Sequence, residues 1–435
     1  MDGYGSRSFY SSGSRGSAVR RVGEGLPRDD PQANPSQEDV EFALHPASRF
    51  GRVFDIAGGD LKVREVGFYS LHGDMSDESL LTLRNDRSYL RAVTMKCSAD
   101  GDTPVPNGPW DLDDGFSRKT TKERVKFLRG VAALLKWTRD NAEDPRVREL
   151  ANGPVDFVST NSTIGHLMKI IYQRDSRSDN GWMFAAARAN NKIVISHITR
   201  SGLDGICQRT PPHAWRGQSN DHSAFWGRRF EVYMTQQDVG SGDDSNKVDA
   251  EGEEVGASRY RSVVLTKLRD LSLLLEAGVD GYDPLCQKAF PQKYVDMAIV
   301  PNEFLHRPDK FYLERMFRWW VSNVLADTGT LRVGFHSGGL VSKVRTYQVS
   351  NIPSLVQDKC RAGGMMPWEP NVCLGFLYQL LKYVQATVVK NHSSAVYEFS
   401  CAKDGPGFSS KEIPAEEASK SGHEYLTEDM DSFLT

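Results

Sequence analysis

Apolar residues recur along the central part of the chain at the spacings of helices and strands. Apolar positions three and four residues apart predict helices over residues 121–140, 261–275, 311–325 and 373–389. Short apolar runs bounded by turn-forming residues predict the strands 155–158, 182–187, 192–197, 278–280, 293–300, 331–335 and 341–349. Short turns join several of these strands, and helices are interspersed among them.

This order of elements indicates an α+β fold, with mixed β-sheets flanked by helices in a single large domain. We assign the domain to residues 46–402, because no linker-like stretch interrupts them. Residues 1–45 are rich in Gly, Ser and Arg, and residues 403–435 are acidic and rich in Ser, so we expect both to be disordered tails. The acidic, Gly-rich stretch 236–258 is predicted to be a flexible surface loop.

The composition narrows the classes of function. The 54 Lys and Arg residues nearly balance the 57 Asp and Glu residues, which gives a formal net charge of -3. This balance argues against a protein that coats nucleic acid by bulk charge, but it is compatible with a local basic channel. No apolar run approaches the roughly 20 residues that cross a bilayer, so we expect no membrane partner. The six cysteines form no C-x-x-C pair, which favours reduced thiols in the nucleus or the cytoplasm.

Three acidic residues are the candidate catalytic and metal-binding groups: Glu231, Asp280 and Asp296. Asp280 closes the run 278–280, and Asp296 lies within the predicted strand 293–300. Clustered carboxylates are the ligands that Mg²⁺ or Mn²⁺ needs for phosphodiester hydrolysis. The spacing therefore predicts a divalent metal site, provided that the three segments are neighbours in the fold.

Each acid also has a purely structural interpretation. Asp280 could cap a turn with Gly281, and Asp296 could end a strand. Glu231 could pair with Arg228 or Arg229, which are near it in the sequence. The same two arginines are candidates for binding an RNA backbone at the mouth of a pocket.

Several motifs occur in an order that resembles the DXO family of RNA decapping nucleases. The likeness extends from Lys62 to Cys401. Its elements are Arg64-Glu65-Val66-Gly67, Asp156-Phe157-Val158, Gly165-His166-Leu167, Gly181-Trp182, Gly227 to Glu231, Trp319-Trp320, Gly334-Phe335 and Gln385-Ala386-Thr387. No single motif decides the resemblance, but their order and spacing together are specific.

The resemblance implies two mixed β-sheets with surrounding helices and a divalent cation in a deep pocket. It implies removal of defective or non-standard caps, including NAD caps, from RNA 5′ ends. It also implies a nuclear location, extending to the cytoplasm, and a 5′→3′ exoribonuclease as a protein partner. DNA is not expected as a substrate. The family's pocket uses an arginine, four carboxylates, a lysine and a glutamine.

The chain departs from that pocket at several positions. Ile164 stands where the family has its arginine, Gly278 replaces a glutamate, and Ala298 replaces the lysine. Asp296 is one methylene shorter than the usual glutamate, and Ser322 stands where a glutamine is usual. Losing an acid/base group costs roughly 10²–10⁴-fold in rate, so we expect weakened hydrolysis. The alternative is an inactive relative that binds RNA 5′ ends or docks on a 5′→3′ exoribonuclease.

The family pattern completes the list of candidate substrate-binding residues: Arg228, Arg229, Ser322 and Gln385. Cations from elsewhere in the chain could replace the lost lysine and arginine. The sequence offers Lys288, Lys293, Arg318 and Lys343 for this role. A pocket in which one of these cations replaces the lost lysine or arginine would favour the hypothesis of an active enzyme. An apolar pocket would favour the hypothesis of an inactive protein that binds RNA 5′ ends.

Overall fold

The structure is a computed structural model that describes part of the chain. The described residues are 41–44, 50–51, 54–56, 58–72, 82–98, 101–116, 131–172, 182–197, 220–235, 259–402, 405–418, 426 and 430. Residues 1–40 of the predicted N-terminal tail lie outside them. The predicted loop 236–258 and the first part of the predicted helix 121–140 also lie outside them.

The first sheet has ten strands and contains both parallel and antiparallel pairs. Its strands are β1 (Phe42–Ala43), β2 (Leu61–His72), β3 (Thr82–Arg84), β6 (Phe157–Thr160), β7 (Trp182–Ala189), β8 (Lys192–His197), β9 (Tyr260–Leu268), β10 (Leu271–Gly278), β15 (Ala395–Cys401) and β16 (Gly407–Pro414). They lie in the order β1-β16-β15-β7-β8-β6-β10-β9-β2-β3. The central strand β6 pairs in parallel with both β8 and β10.

The second sheet has six strands and is also mixed. Its strands are β4 (Asp102–Pro104), β5 (Trp110–Asp111), β11 (Gly281–Tyr282), β12 (Tyr294–Pro301), β13 (Thr330–Ser337) and β14 (Leu340–Gln348). They lie in the order β11-β12-β13-β14-β4, and β5 also pairs with β14. β12 and β13 are parallel, whereas β13 and β14 form an antiparallel hairpin. The prediction of mixed sheets and helices is therefore confirmed, as is the pair of sheets that the resemblance implies.

Helices cover the faces of the two sheets. The described α-helices are α1 (Ala132–Asp140), α2 (Pro145–Asn152), α3 (Asn161–Lys169), α4 (Asn220–Thr235), α5 (Met316–Val324), α6 (Ile352–Ala362), α7 (Pro370–Thr387) and α8 (Ala415–Ala418). A π-helical segment, Asp309–Arg315, leads directly into α5. None of the helices within the described ranges is long and apolar enough to span a membrane.

The main hydrophobic core lies between the sheets and the helices α3, α5, α6 and α7. It joins Phe157 and Leu273 of the first sheet to Val333 and Phe335 of the second. A second core on the other face of the first sheet includes Trp137 of α1. A third core packs α4 on the outer face of the second sheet. The second sheet is thus enclosed on both faces.

The predicted helix 261–275 is wrong, because β9 and β10 form an antiparallel hairpin there. The turn between them includes Arg269, whose φ of 57° is in the left-handed region. Both strands lie between two hydrophobic cores: Leu273 and Leu275 face the main core, and Leu274 faces the second. A strand that is buried on both faces has a nearly continuous apolar run, which imitates the spacing of a buried helix.

The predicted tail boundaries also need correction. Residues 407–414 form β16, which pairs antiparallel with both β15 and β1. Phe408 and Ile413 are buried, as are Leu426 and Met430 further along. The strand in this segment was not predicted, because the exposed face of a strand is polar and carries most of the charge of residues 403–435. The C-terminal segment therefore completes the first sheet, together with residues 42–43 from the predicted N-terminal tail.

One close approach fixes the position of α4 on the second sheet. A Cβ placed on Gly334 of β13 would lie 2.6 Å from the ring of Phe230. Phe230 is fully buried, and Trp226 and Met234, one helical turn away on either side, are buried with it. This contact matters for function because Glu231 is the next residue on the same helix.

A Gly334→Ala variant should be destabilised by about 1–3 kcal/mol, because the added methyl group overpacks against Phe230. Gly227→Ala is the matched control, since a Cβ on Gly227 meets nothing within 4 Å. That variant should be neutral or gain up to about 1 kcal/mol, because alanine favours a helix interior over glycine. Urea unfolding measures both; equal free energies of unfolding for the two variants would contradict the packing described.

Candidate functional site

Asp280 and Asp296 meet where the chain passes from the first sheet to the second. Asp280 follows the last residue of β10 and precedes β11, which pairs with β12. Its Oδ2 accepts a hydrogen bond of 2.8 Å from the backbone N–H of Met297 on β12. The carboxyl group is therefore held against the strand that carries Asp296, and it does not cap the turn at Gly281.

The two aspartates are hydrogen-bonded to each other. A bond between two carboxyl groups requires a proton on one of them. Burial raises the pKa of Asp280 well above its usual value, and the charges of Glu231 and Asp296 raise it further. Burial also raises the pKa of Asp296, although the hydrogen bonds that Asp296 accepts oppose the shift. Both pKa values are raised, so the pair as a whole retains a proton more readily than two separate aspartates would.

Asn323 of α5 holds the other side of Asp296. Its Nδ2 donates to Asp296 Oδ2 at 2.5 Å and to the carbonyl oxygen of Trp319 at 2.8 Å. Asn323 was missed at the sequence level, although a buried asparagine among apolar helix positions was an available signal. The predicted Ser322 is its exposed neighbour, whose hydroxyl donates to the carbonyl oxygen of Arg318 within the helix. The amide that orients a pocket carboxylate thus stands one residue after the expected position.

Glu231 is the third acid of the site and lies half-buried on α4. Burial raises the pKa of Glu231 to about 7; the charge of Arg91 opposes this shift, and the charge of Asp296 adds to it. The charge of Arg228, three residues earlier on α4, also lowers this pKa. The structure therefore brings the three predicted acids into electrostatic contact and places Arg228 beside them. Arg91 was not among the predicted residues.

Arg229 has a structural role instead of the predicted substrate contact. It forms an ion pair with Asp114, and its guanidinium carbon lies 4.8 Å from the centre of the Tyr233 ring. The Tyr233 hydroxyl donates to the carbonyl oxygen of Asp111 at 3.0 Å. These contacts fasten the loop after β5 to α4. Of the two predicted arginines, only Arg228 acts on the carboxylates.

Gln385 lies away from the three acids, so its predicted role in substrate binding stays a prediction. Its Nε2 donates to Asp156 Oδ1 at 3.3 Å. The other carboxylate oxygen of Asp156 accepts from the backbone of Ser272, near the start of β10. Asp280 lies beyond the opposite end of that strand, roughly 25 Å away at 3.3 Å per residue. The motif that contains Gln385 therefore reflects the packing of α7.

The positions of the missing lysine and arginine are apolar. Ile164 is fully buried in the main core, and Ala298 packs against the same core. The charges that shift the pKa values of Asp280 and Asp296 come from acidic groups, and no cation is among them. The substitute cations that the sequence offered are occupied elsewhere.

Those substitutes have partners of their own. Lys343 pairs with Asp102 at 2.6 Å, and Lys293 lies 5.7 Å from the centre of the Tyr282 ring. The charge of Lys288 acts on Asp327. Arg318 lies near Lys169, whose pKa it lowers. The pocket is therefore not refilled around Asp280 and Asp296.

The surroundings of Gly278 differ from those of Ile164 and Ala298, because a guanidinium lies beside Gly278. A Cβ on Gly278 would be 3.7 Å from Arg261 Nη1. Arg261 is held by an ion pair of 2.8 Å with Glu276, two residues earlier on β10. The position of the missing glutamate therefore borders a charged pair and not the apolar core.

The three acids match a divalent cation in donor type but not in their observed geometry. Carboxylate oxygens are the ligands that Mg²⁺ and Mn²⁺ prefer, and the charge of Asp296 raises the pKa of both Glu231 and Asp280. Within the described ranges, however, no group of three His, Cys, Asp or Glu side chains is arranged to hold a metal ion. A proton shared by Asp280 and Asp296 occupies the space between their two carboxyl groups. A cation would take the place of that proton.

Comparisons with known proteins identify the family of this chain. Residues 62–430 match the family model described as RAI1 like PD-(D/E)XK nuclease. The chain belongs to this family. Among its relatives, the human decapping and exoribonuclease protein is 25% identical over 345 residues, which cover 78% of this chain and 81% of the relative. The decapping nuclease dom-3 of Caenorhabditis elegans is 21% identical over 337 residues, which cover 74% of this chain and 76% of the relative.

Solved structures of the family share the fold. Rai1 of Scheffersomyces stipitis, in complex with (3′-NADP)⁺ and calcium, has a TM-score of 0.61 at 13% identity, covering 86% of this chain and 94% of that one. Rai1 of Candida albicans, in complex with pU5 and Mn²⁺, has a TM-score of 0.60 at 14% identity, covering 86% and 96%. Identities this low support the fold alone. They confirm the two-sheet nuclease architecture that the sequence implied.

The raised pKa of Glu231 predicts how stability depends on pH without metal. Because this pKa rises from 4.5 to about 7, the folded protein binds more protons than the unfolded chain between these values. Stability is therefore greatest below the lower value, falls as pH rises through about 7, and levels off above it. The loss attributable to Glu231 should be on the order of 2 kcal/mol. Urea unfolding at pH 5 and pH 8 with a chelator present measures it.

The Glu231→Gln variant isolates this effect, because glutamine keeps the shape of the side chain and does not titrate. The fall in stability from pH 5 to pH 8 should be smaller in this variant than in the unmodified protein. An identical fall in both proteins would show that Glu231 titrates normally.

Proposed function

We propose that this protein acts on RNA 5′ ends, where it hydrolyses non-standard caps, including NAD caps, at a reduced rate. Family membership and the decapping activity named for its relatives support this proposal. The observation that carries it is the meeting of Glu231, Asp280 and Asp296 at the junction of the two sheets. Neighbouring acids with raised pKa values in one half-buried site are typical of functional sites.

The chain's own groups can do part of the chemistry. Glu231, with a pKa of about 7, is poised to exchange a proton with water near neutral pH. Asn323 fixes the orientation of Asp296, and the Met297 N–H fixes Asp280. Mg²⁺ or Mn²⁺, held by the three acids, would supply positive charge for the phosphate and would acidify a bound water.

Other parts of the family's pocket are missing, which is why we propose a reduced rate. Ala298 provides no amine to orient or deprotonate water, and Ile164 provides no guanidinium for the phosphate. Each such loss removes roughly 10²–10³-fold or more from a rate. Arg91 and Arg228, whose charges act on Glu231, still supply positive charge near this acid.

Recognition of RNA 5′ ends without hydrolysis is the second candidate function. The shared proton between Asp280 and Asp296 and the apolar surroundings of Ala298 favour it. In this alternative the protein shields RNA ends or docks on a 5′→3′ exoribonuclease. We propose a nuclear location on the strength of the resemblance alone.

Turnover of 5′-end-labelled RNA separates the two functions. With Mn²⁺ or Mg²⁺, the unmodified protein should release caps from NAD-capped or triphosphate RNA. The Glu231→Gln, Asp280→Asn double variant should lose at least about 10²-fold of this rate, because it removes two of three anionic ligands. Glu303→Gln, which alters an exposed acid outside the site, should leave the rate unchanged. Equal rates in the double variant and the unmodified protein would place the chemistry elsewhere.

Absence of turnover, with end-dependent binding of 5′-phosphorylated RNA intact, would establish the second function. Fluorescence anisotropy with 5′-phosphate and 5′-hydroxyl RNAs of one sequence supplies that measurement. Equal affinity for the 5′-phosphate and 5′-hydroxyl RNAs would contradict both functions.

Restoring a lysine should increase the rate. Ala298 is two residues from Asp296 on β12, so its side chain points to the same face of the strand. The amine of an Ala298→Lys variant can reach the two aspartates and replace their shared proton. Cap release should rise on the order of 10²-fold. Ala298→Met adds similar bulk without charge and is the control; a rise in both variants, or in neither, would show that the missing amine does not limit the rate.

A further inference from the structure

Three cations lie close together outside the carboxylate site. Lys169 ends α3, Arg315 ends the π-helical segment, and Arg318 lies on the first turn of α5. All three are half-buried. Long cationic side chains normally keep their charges in water or pair them with acids, so a half-buried group of three requires explanation.

The packing of α3 against α5 brings these residues together. A Cβ on Gly165 of α3 would lie 3.2 Å from the side chain of Val321, so the two helices approach closely. Asn161 Nδ2 donates to the carbonyl oxygen of Ser322 at 2.6 Å, while the ring of Tyr172 lies 5.7 Å from that of Phe317. The helices therefore run in opposite directions, and Lys169 lies beside Arg318.

Within the described ranges, Lys169 and Arg315 have no acid as an ion-pair partner. Glu314 is the acid that acts on Arg315 and Arg318, and it is already paired with Lys310. Apart from Arg318, which has other interactions, the charges of Lys169, Arg315, Lys310 and Glu314 sum to an excess of two positive charges. Arg315 Nε is buried without a hydrogen-bond partner within the part of the chain described.

The surroundings of Arg315 hold it in place but add no negative charge. Its guanidinium carbon lies 5.2 Å from the centre of the Phe304 ring. Burial and the charge of Arg315 together lower the pKa of His336 to about 4, so this imidazole is neutral near pH 7. Burial and the charge of Arg318 likewise lower the pKa of Lys169 to about 8. The cluster gains stability from any anion that enters it.

We propose that Lys169, Arg315 and Arg318 form a phosphate-binding site for the RNA backbone a few nucleotides from the 5′ end. This site rests on the proposed function for the identity of its ligand. Arg318 precedes Asn323 by five residues on α5, which is about 7 Å along the helix axis. A strand whose 5′ end lies at Asp296 would therefore pass Arg318 within its first nucleotides. A positively charged path along the backbone is the usual means of holding single-stranded RNA.

The test uses a Lys169→Met, Arg315→Met double variant, which keeps side-chain length and removes two charges. Arg318 is left intact because it has other interactions. Lys267→Met, which removes an exposed lysine from β9 of the first sheet, is the control. Binding of a 5′-phosphorylated ten-nucleotide RNA and of a 5′-phosphorylated dinucleotide is measured at several salt concentrations.

The double variant should bind the ten-nucleotide RNA at least about tenfold more weakly, since hydrogen bonds to charged groups are strong. The slope of log affinity against log salt concentration should fall by about 0.7 for each lost phosphate contact. Dinucleotide affinity and the control variant should be unchanged. Equal loss of affinity for both RNAs, or an unchanged salt slope, would overturn the proposal.

A second readout separates this site from the proposed function. Inorganic pyrophosphate should raise the thermal midpoint of the unmodified protein and of the Lys267→Met control, but not that of the double variant. If no RNA binds at all, the proposed function fails, while the pyrophosphate result still decides whether an anion site exists. An equal rise in all three proteins would show that the cluster binds no phosphate.

Discussion

The hydrogen bond between Asp280 and Asp296 is the contact on which the rest of the site depends. Asp280 belongs to the segment that leaves the first sheet, and Asp296 belongs to the second strand of the other sheet. Their carboxyl groups meet because Met297 N–H holds one and Asn323 holds the other. Burial raises the pKa of both acids, so the pair favours a shared proton where a cation would otherwise supply positive charge.

The contact between Asp280 and Asp296 also shows what the substitution at position 298 changes. A lysine at position 298 would supply positive charge from β12, and its absence leaves the aspartates dependent on a proton or a metal ion. Ile164 and Ala298 extend the main core to the edge of the site. Positive charge is retained at two other places: near Glu231, from Arg91 and Arg228, and along α5, from Arg318 and its neighbours. The site has lost its central charges and kept those at its periphery.

Much of the fold and the central acids were predictable, because their signals are local or belong to the family. The strand that carries Asp296 and the hairpin after it follow from short apolar runs and turns. β9 and β10 were predicted as a helix, because burial on both faces erases the alternation of a strand. The distance of Gln385 from the three acids was not predictable, because a motif in one helix does not give its position relative to other segments. Asn323 and Arg91 were missed because their roles depend on contacts between distant segments.

The central proposal is that Glu231, Asp280 and Asp296 bind a divalent cation in competition with a proton. Electron paramagnetic resonance of Mn²⁺ titrated into the protein at pH 6 and pH 8 tests it directly. The account predicts one bound Mn²⁺, tighter at pH 8 than at pH 6 because the ion displaces the shared proton, and no such binding in an Asp280→Asn variant. Binding that is independent of pH, or that survives in that variant, would contradict the account.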